Sequence, residues 1–106
     1  MNQPVIFMLY RGSLSRLLLG EGFSFGRGSL LKKPDVSLDL SYLAPVQGEF
    51  SAGNGISFSN LASPAAVSVN HVPGRKGDSV SLQEYDVITV SGSRLDQALV
   101  FILMED

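Results

Sequence analysis

The alternation of apolar and polar residues predicts a series of short β-strands along the chain. Residues that alternate buried and exposed with a period of two are typical of strands with one face in a core. This period recurs in five segments: Phe23–Phe25, Asp35–Leu40, Ile56–Ser59, Val67–Asn70 and Ser79–Gln83. Val87, Ile88 and Val90 predict a further short strand. Glycine- and proline-containing turns separate them, and Asn54-Gly55 is typical of a hairpin with a type I′ turn.

The two ends of the chain carry unbroken apolar runs. Val5–Tyr10 has the length of a strand buried on both faces, and Ala98–Met104 matches it. Ser93–Leu99 could instead cap and begin a helix, but the apolar run favours a strand. Leu14–Leu19 is likewise predicted as a strand that leads to Phe23. We therefore expect an all-β sandwich of about ten short strands, with the two end strands paired at its centre.

The composition indicates one folded domain over residues 1–106. The chain is 44% hydrophobic and only 17% charged, which supplies one core and excludes a disordered segment. A net charge of −2 argues against a nucleic acid partner, since such binding needs a clustered basic face. The basic pairs Lys32-Lys33 and Arg75-Lys76 are interpreted as solvated loop tips. No secretory signal or membrane-spanning run is found, so the chain is expected to be soluble as given.

Residues suited to catalysis or metal binding are few. The sequence has no cysteine and a single histidine, His71, so it holds neither a thiolate site nor a usual set of zinc ligands. Gly26-Arg27-Gly28 lacks the spacing of a phosphate-binding loop. The aspartate pairs fall at predicted strand starts and turns, where carboxylates cap backbone amides: Asp35 with Asp39, and Asp78 with Asp86. We predict a binding or assembly module without catalysis, cofactor, metal or small-molecule substrate.

The order of several short motifs resembles that of a forkhead-associated (FHA) domain. The motifs that carry the resemblance are Gly26-Arg27, Asp35–Phe50, Asn60–Ser63, Val69-Asn70, Leu82 and Asp86–Ile88. The resemblance implies an FHA-like β-sandwich of ten or eleven short, mainly antiparallel strands. It also implies that loops at one end hold a phosphothreonine peptide, through an arginine and through serine and asparagine donors.

Three positions retain the residue type that this family uses for its peptide. Arg27 matches the arginine of the family's Gly-Arg turn, and Ser63 matches the serine of its second loop. Asn70 matches the asparagine after the following strand. Asp86 matches a structural aspartate, although Tyr85 replaces the glycine that precedes it in the family. A phosphopeptide-binding domain that uses Arg27, Ser63 and Asn70 is therefore the alternative hypothesis for the site.

Four positions of the family's motifs are substituted. Ala44, Pro45 and Gln47 replace the serine, arginine and histidine of the first loop, and Ala65 replaces the asparagine of the second. A hydrogen bond to a charged group contributes about 1.5–3 kcal/mol. Losing the two donors at Ala44 and Ala65 then costs about 3–6 kcal/mol, or roughly 10² to 10⁴ in affinity. We therefore expect phosphothreonine binding to be lost.

The substituted segment carries a second resemblance. Leu43–Val46 is similar to the Ala-Pro-Val-His stretch in the cytoplasmic domain of the YscD/PrgH-type inner-membrane ring protein of bacterial type III secretion systems, with Gln47 in place of the histidine. This implies a scaffolding domain that docks ring subunits and cytosolic export components, with a membrane attachment only through a following segment. The isolated domain is expected to be monomeric. An FHA-like domain of another membrane or signalling protein stays open as an alternative.

Overall fold

The computed structural model describes residues 3–62, 65–94 and 97–105. These residues form eleven strands: β1 (Pro4–Tyr10), β2 (Ser13–Leu18), β3 (Gly22–Gly26), β4 (Val36–Ser37), β5 (Gly48–Gly53), β6 (Gly55–Asn60), β7 (Ala66–Val69), β8 (Val72–Pro73), β9 (Ser79–Leu82), β10 (Val87–Ser91) and β11 (Leu99–Glu105). The predicted all-β fold class is confirmed.

The strands form two sheets, with the orders β2-β1-β11-β10-β7-β8 and β4-β3-β5-β6-β9. Every pairing is antiparallel except that of β3 with β4. The apolar end strands β1 and β11 are neighbours inside the six-stranded sheet, where Ile6 lies opposite Leu103. Their predicted central pairing is therefore confirmed.

Four phenylalanines from both sheets form the centre of the core. The ring centroids of Phe25 and Phe101 are 4.7 Å apart, and the Phe50 ring lies 5.0 Å from Phe101 and 5.2 Å from Phe58. All four side chains are buried. Gly48 leaves room for them, because a Cβ at this position would lie 2.9 Å from the Phe25 ring. This packing holds the two sheets, and hence the loops at their ends, in a fixed relation.

The predicted strand Asp35–Leu40 is shorter than expected. Only Val36–Ser37 pairs in a sheet, beside β3. Leu38 and Leu40 are buried as the alternation predicted, but the Leu40 N–H bonds to the Leu38 carbonyl rather than to a neighbouring strand. The chain leaves the sheet there because Leu38, Leu40 and Leu43 all join the hydrophobic core.

Two further local expectations were wrong in part. β1 is not buried on both faces: Phe7 is half-buried and Leu9 is 43% exposed, because no described element covers the outer face of that sheet.

The hairpin between β5 and β6 forms, with Gly53 opposite Gly55. Its turn is not type I′, since Gly55 has φ of 99° while Asn54 is not among the residues with positive φ.

The antiparallel order gathers six connections at one end of the sandwich. They follow β1, β3, β4, β6, β8 and β10, and we call this end the loop end. The opposite end, called the far end, carries the other four connections, which follow β2, β5, β7 and β9. This division decides which sequence motifs can act together.

Candidate functional site

The Gly-Arg turn packs directly against the substituted loop at the loop end. Gly26 allows the close approach, because a Cβ there would lie 2.3 Å from the carbonyl oxygen of Pro45. Three donors of the turn bond to three successive carbonyls: Arg27 Nε–H to Leu43 (3.1 Å), Arg27 N–H to Ala44 (2.9 Å) and Gly28 N–H to Pro45 (3.0 Å). One donor of the exposed Arg27 side chain is therefore already used in a hydrogen bond within the protein.

Gln47 is fully buried at the loop end, where its side chain makes three hydrogen bonds. Its Oε1 accepts the N–H of Ala44 (3.0 Å), and its Nε2 donates to the carbonyl of Ala62 (2.7 Å) and to Oδ1 of Asn60 (3.3 Å). One side chain thus joins the β4–β5 loop to the end of β6 and the loop after it. An amide does this without changing charge, whereas a histidine at the same place would titrate near neutral pH.

The other substituted positions present apolar groups. Ala44 and Pro45 are half-buried, and Ala65 packs against the hydrophobic core. Ser63 lies outside the described residues. Neither alanine carries a side-chain donor, so the two positions at which the FHA resemblance predicts peptide donors are apolar here.

Asn70 lies at the far end and not beside Arg27. The four residues of β7 (Ala66–Val69) separate it from the loop end, a distance of roughly 13 Å along the strand. Its Nδ2 donates to Oδ1 of Asp86 (2.9 Å), and its Oδ1 accepts the N–H of Val87 (2.9 Å). The side chain therefore fastens the turn after β7 to the start of β10.

Asp86 completes this far-end network. Its Oδ2 accepts the N–H of Gln83 at 2.8 Å, which closes the turn before β10. Tyr85 occupies the place of the family's glycine with φ of 73°. Such a left-handed conformation costs a non-glycine residue about 1–2 kcal/mol, so the turn keeps its shape at a local energetic cost.

Tyr42 is a structural residue of the loop end that no motif had indicated. Its hydroxyl bonds to the carbonyls of Gln97 (2.6 Å) and Val90 (3.3 Å), which ties the β4–β5 loop to the other sheet. A Cβ at Gly92 would lie 2.7 Å from the Tyr42 Cβ, so a glycine is needed for this contact. Burial raises the pKa of Tyr42 above its ordinary value, and the nearby Tyr10 adds to the increase.

The described residues offer neither a metal centre nor a membrane span. In 3–62, 65–94 and 97–105, no group of three histidine, aspartate or glutamate side chains is placed to hold a metal ion. Within the same ranges, no helix has the length and apolarity needed to cross a bilayer. Every fully buried side-chain nitrogen or oxygen described has a hydrogen-bond partner.

Solved structures that are similar to this chain include several FHA domains. No family model and no curated protein matches the sequence. The structure of the yeast Pml1 splicing factor covers 99% of this chain and 80% of its own, at 16% identity and a TM-score of 0.80. The N-terminal FHA domain of Saccharomyces cerevisiae Rad53p, in complex with a phosphothreonine peptide, gives 96% and 94% coverage at 17% identity and a TM-score of 0.76.

A bacterial structure is also similar to this chain. The FHA domain of the Chlamydia trachomatis CT664 protein covers 96% of both chains, at 15% identity and a TM-score of 0.75. The chain therefore has the FHA-like β-sandwich fold.

Replacing Gln47 is expected to destabilise the loop end and the whole domain. Gln47→Ala leaves the Ala44 N–H and the Ala62 carbonyl without partners, and unsatisfied buried groups cost about 1–3 kcal/mol each. We expect a loss of about 2–6 kcal/mol in the free energy of unfolding, measured by urea denaturation. The control is Gln83→Ala, an exposed glutamine, which should change stability by less than about 0.5 kcal/mol. Equal stability of the two variants would contradict the role of Gln47.

The raised pKa of Tyr42 predicts a loss of stability in alkaline solution. The folded state holds the phenolic proton more tightly than the unfolded state, so this contribution is complete below pH 10 and declines as pH rises through the folded-state pKa. We expect the unfolding free energy of the wild type to fall more steeply than that of Tyr42→Phe as the pH rises above about 10. Tyr85→Phe alters an exposed ring and should keep the wild-type profile. Parallel profiles for the wild type and Tyr42→Phe would refute the prediction.

Proposed function

We propose that this chain is a non-catalytic protein-interaction domain whose phosphothreonine site has been lost. In the fuller form of the proposal, it is the cytoplasmic scaffolding domain of a bacterial type III secretion inner-membrane ring protein. It docks other ring subunits and cytosolic components of the export machinery, and a following segment attaches it to the membrane. Many copies in a ring would convert weak single contacts into strong binding through avidity.

The loss of phosphate binding is inferred from the hydrogen bonds of the loop N–H groups, which are made to acceptors within the protein. An anion socket needs N–H groups that point to the ligand. Here the N–H groups of Arg27, Gly28 and Ala44 bond to Ala44, Pro45 and Gln47 of the same protein.

Two further features agree with this proposal. Ala44 and Ala65 supply no replacement donors, and Asn70 is bonded to Asp86 at the far end. The ring assignment is supported by the resemblance of Leu43–Val46 and by the FHA-like fold.

The alternative is a phosphothreonine-peptide reader. The observation that favours it is the exposed side chain of Arg27 at the loop end, together with the phosphothreonine peptide bound by the structurally similar Rad53p domain. The sequence assigned Arg27, Ser63 and Asn70 to this alternative. Because Asn70 lies at the far end, the alternative requires Arg27 and Ser63 to hold the phosphate without the two missing donors.

An NMR amide-shift titration distinguishes the two functions. The domain is titrated with a pool of phosphothreonine peptides and with the same pool unphosphorylated. We expect no phosphate-dependent shifts in the wild type. The matched variant Ala44→Ser/Ala65→Asn restores both donors, and we expect it to gain about 10²-fold or more in affinity for the phosphorylated pool.

Saturable, phosphate-dependent shifts of the wild type that Arg27→Ala abolishes would contradict the loss of the site. They would establish the phosphopeptide alternative instead.

The ring assignment makes a separate prediction about the coding sequence beyond residue 106. It should encode a transmembrane helix followed by small α/β domains of the kind that build rings. A kinase-like or ATPase region at this place would refute the ring assignment and leave the interaction module untouched.

A further inference from the structure

The cationic side chains are concentrated at one end of the sandwich. The sequence contains eight lysines and arginines, and only Arg16 lies within a strand. The other seven occupy four connections of the loop end: Arg11 after β1, Arg27, Lys32 and Lys33 after β3, Arg75 and Lys76 after β8, and Arg94 after β10. The basic pairs interpreted from the sequence as separate loop tips therefore share one end of the molecule.

The far end has the opposite charge. Its four connections carry Glu21, Glu84 and Asp86 and no lysine or arginine. The connections of the loop end also carry four carboxylates, which leaves a net charge of +3 beside the seven cations: Asp35, Asp39, Asp78 and Asp96. Two of them accept backbone N–H groups, Asp35 from Ser24 and Asp78 from Arg75. Although the net charge is only −2, the molecule has a cationic end and an anionic end. Such an asymmetric charge distribution orients a protein in an external electric field.

Two leucines protrude from the cationic end. Leu30 and Leu31 are 96% and 95% exposed at the tip of the β3–β4 connection. The tip is a tight turn, because the Ser29 N–H bonds to the Lys32 carbonyl (2.7 Å) and the Lys32 N–H bonds to Ser29 Oγ (3.0 Å). The turn therefore presents an apolar pair with Lys32 and Lys33 directly beside it.

We propose that the loop end contacts the surface of an anionic membrane. Leu30 and Leu31 would enter the boundary between headgroups and acyl chains, as exposed apolar residues of interfacial segments do. The surrounding lysines and arginines would face the lipid phosphates, where each cation near the surface adds about 5-fold to binding. The acidic far end would then point away from the membrane.

The shape of the tip favours a lipid surface over a protein partner. A convex, narrow turn with two adjacent leucines needs a matching pocket in a protein, whereas a fluid interface accommodates it without one. The exposed outer face of the six-stranded sheet is the rival apolar surface, lined by Phe7, Leu14, Ile102 and Met104. Arg16 is the one lysine or arginine in the strands of this sheet. The outer face therefore lacks the cluster of cations that would attract anionic lipid at the loop end. Membrane contact through Leu30 and Leu31 does not depend on which protein partner the domain docks.

Vesicle co-sedimentation with the chain as it stands tests the proposal. The probes are phosphatidylcholine vesicles with and without about 30% phosphatidylglycerol, at about 0.1 M and about 1 M salt, where the Debye length falls from about 10 Å to about 3 Å. We expect binding only with phosphatidylglycerol, and most of it should be lost at high salt. Lys32→Ala/Lys33→Ala should weaken binding by about 30-fold, and Leu30→Ser/Leu31→Ser by about 10-fold or more.

The matched control replaces two other exposed leucines. Leu14 and Leu18 are 67% and 60% exposed on β2, so Leu14→Ser/Leu18→Ser removes the same chemistry elsewhere and should bind within about 2-fold of the wild type. Thermal unfolding of each variant verifies that it is folded.

Three results would overturn the proposal. The first is no binding, or equal binding to both kinds of vesicle. The second is a loss confined to Leu14→Ser/Leu18→Ser, which would assign the contact to the outer sheet face. The third is binding that Leu30→Ser/Leu31→Ser leaves unchanged, which would remove the leucine tip from the contact.

Discussion

The buried side-chain amide of Gln47 is the contact on which the arrangement of the loop end depends. It lies between the β4–β5 loop and the end of β6, and it bonds to Ala44, Asn60 and Ala62. A buried polar group is stable only when its hydrogen bonds are made, so these three segments can keep their positions only together. The Gly-Arg turn then packs on the fixed 43–45 carbonyls.

In the proposed function, this arrangement would let an FHA-like fold persist without a phosphothreonine site. The turn and the substituted loop satisfy each other's hydrogen bonds, and the donor positions are apolar. The loop end is left with cations on its connections and a leucine tip at Leu30-Leu31. We infer that the loop end is a contact surface for proteins and lipid, rather than a binding site for a single phosphate group. The phenylalanine core packs the two sheets together, and the Tyr42 hydroxyl joins the β4–β5 loop to the carbonyl of Gln97.

The sequence predicted the parts of the fold that depend on side-chain periodicity. Strands with one buried face, such as β3 and β6, follow from alternation, and the central pairing of β1 with β11 follows from their apolar runs. Spatial relations were not accessible in this way. Asn70 follows a strand of only four residues, yet that strand carries it to the far end. The gathering of seven cations likewise depends on which end each connection occupies, which only the sheet order decides.

Amide hydrogen exchange at Ala44, Arg27 and Leu61 tests most directly whether Gln47 organises the loop end. Their N–H groups bond to Gln47 Oε1, the Ala44 carbonyl and the Gln47 carbonyl, respectively. We expect all three amides to be protected in the wild type. In Gln47→Leu, Ala44 and Arg27 should exchange faster together, while the core strand amide of Ile102 stays protected. Rapid exchange of Ala44 in the wild type, or unchanged protection in the variant, would contradict the account.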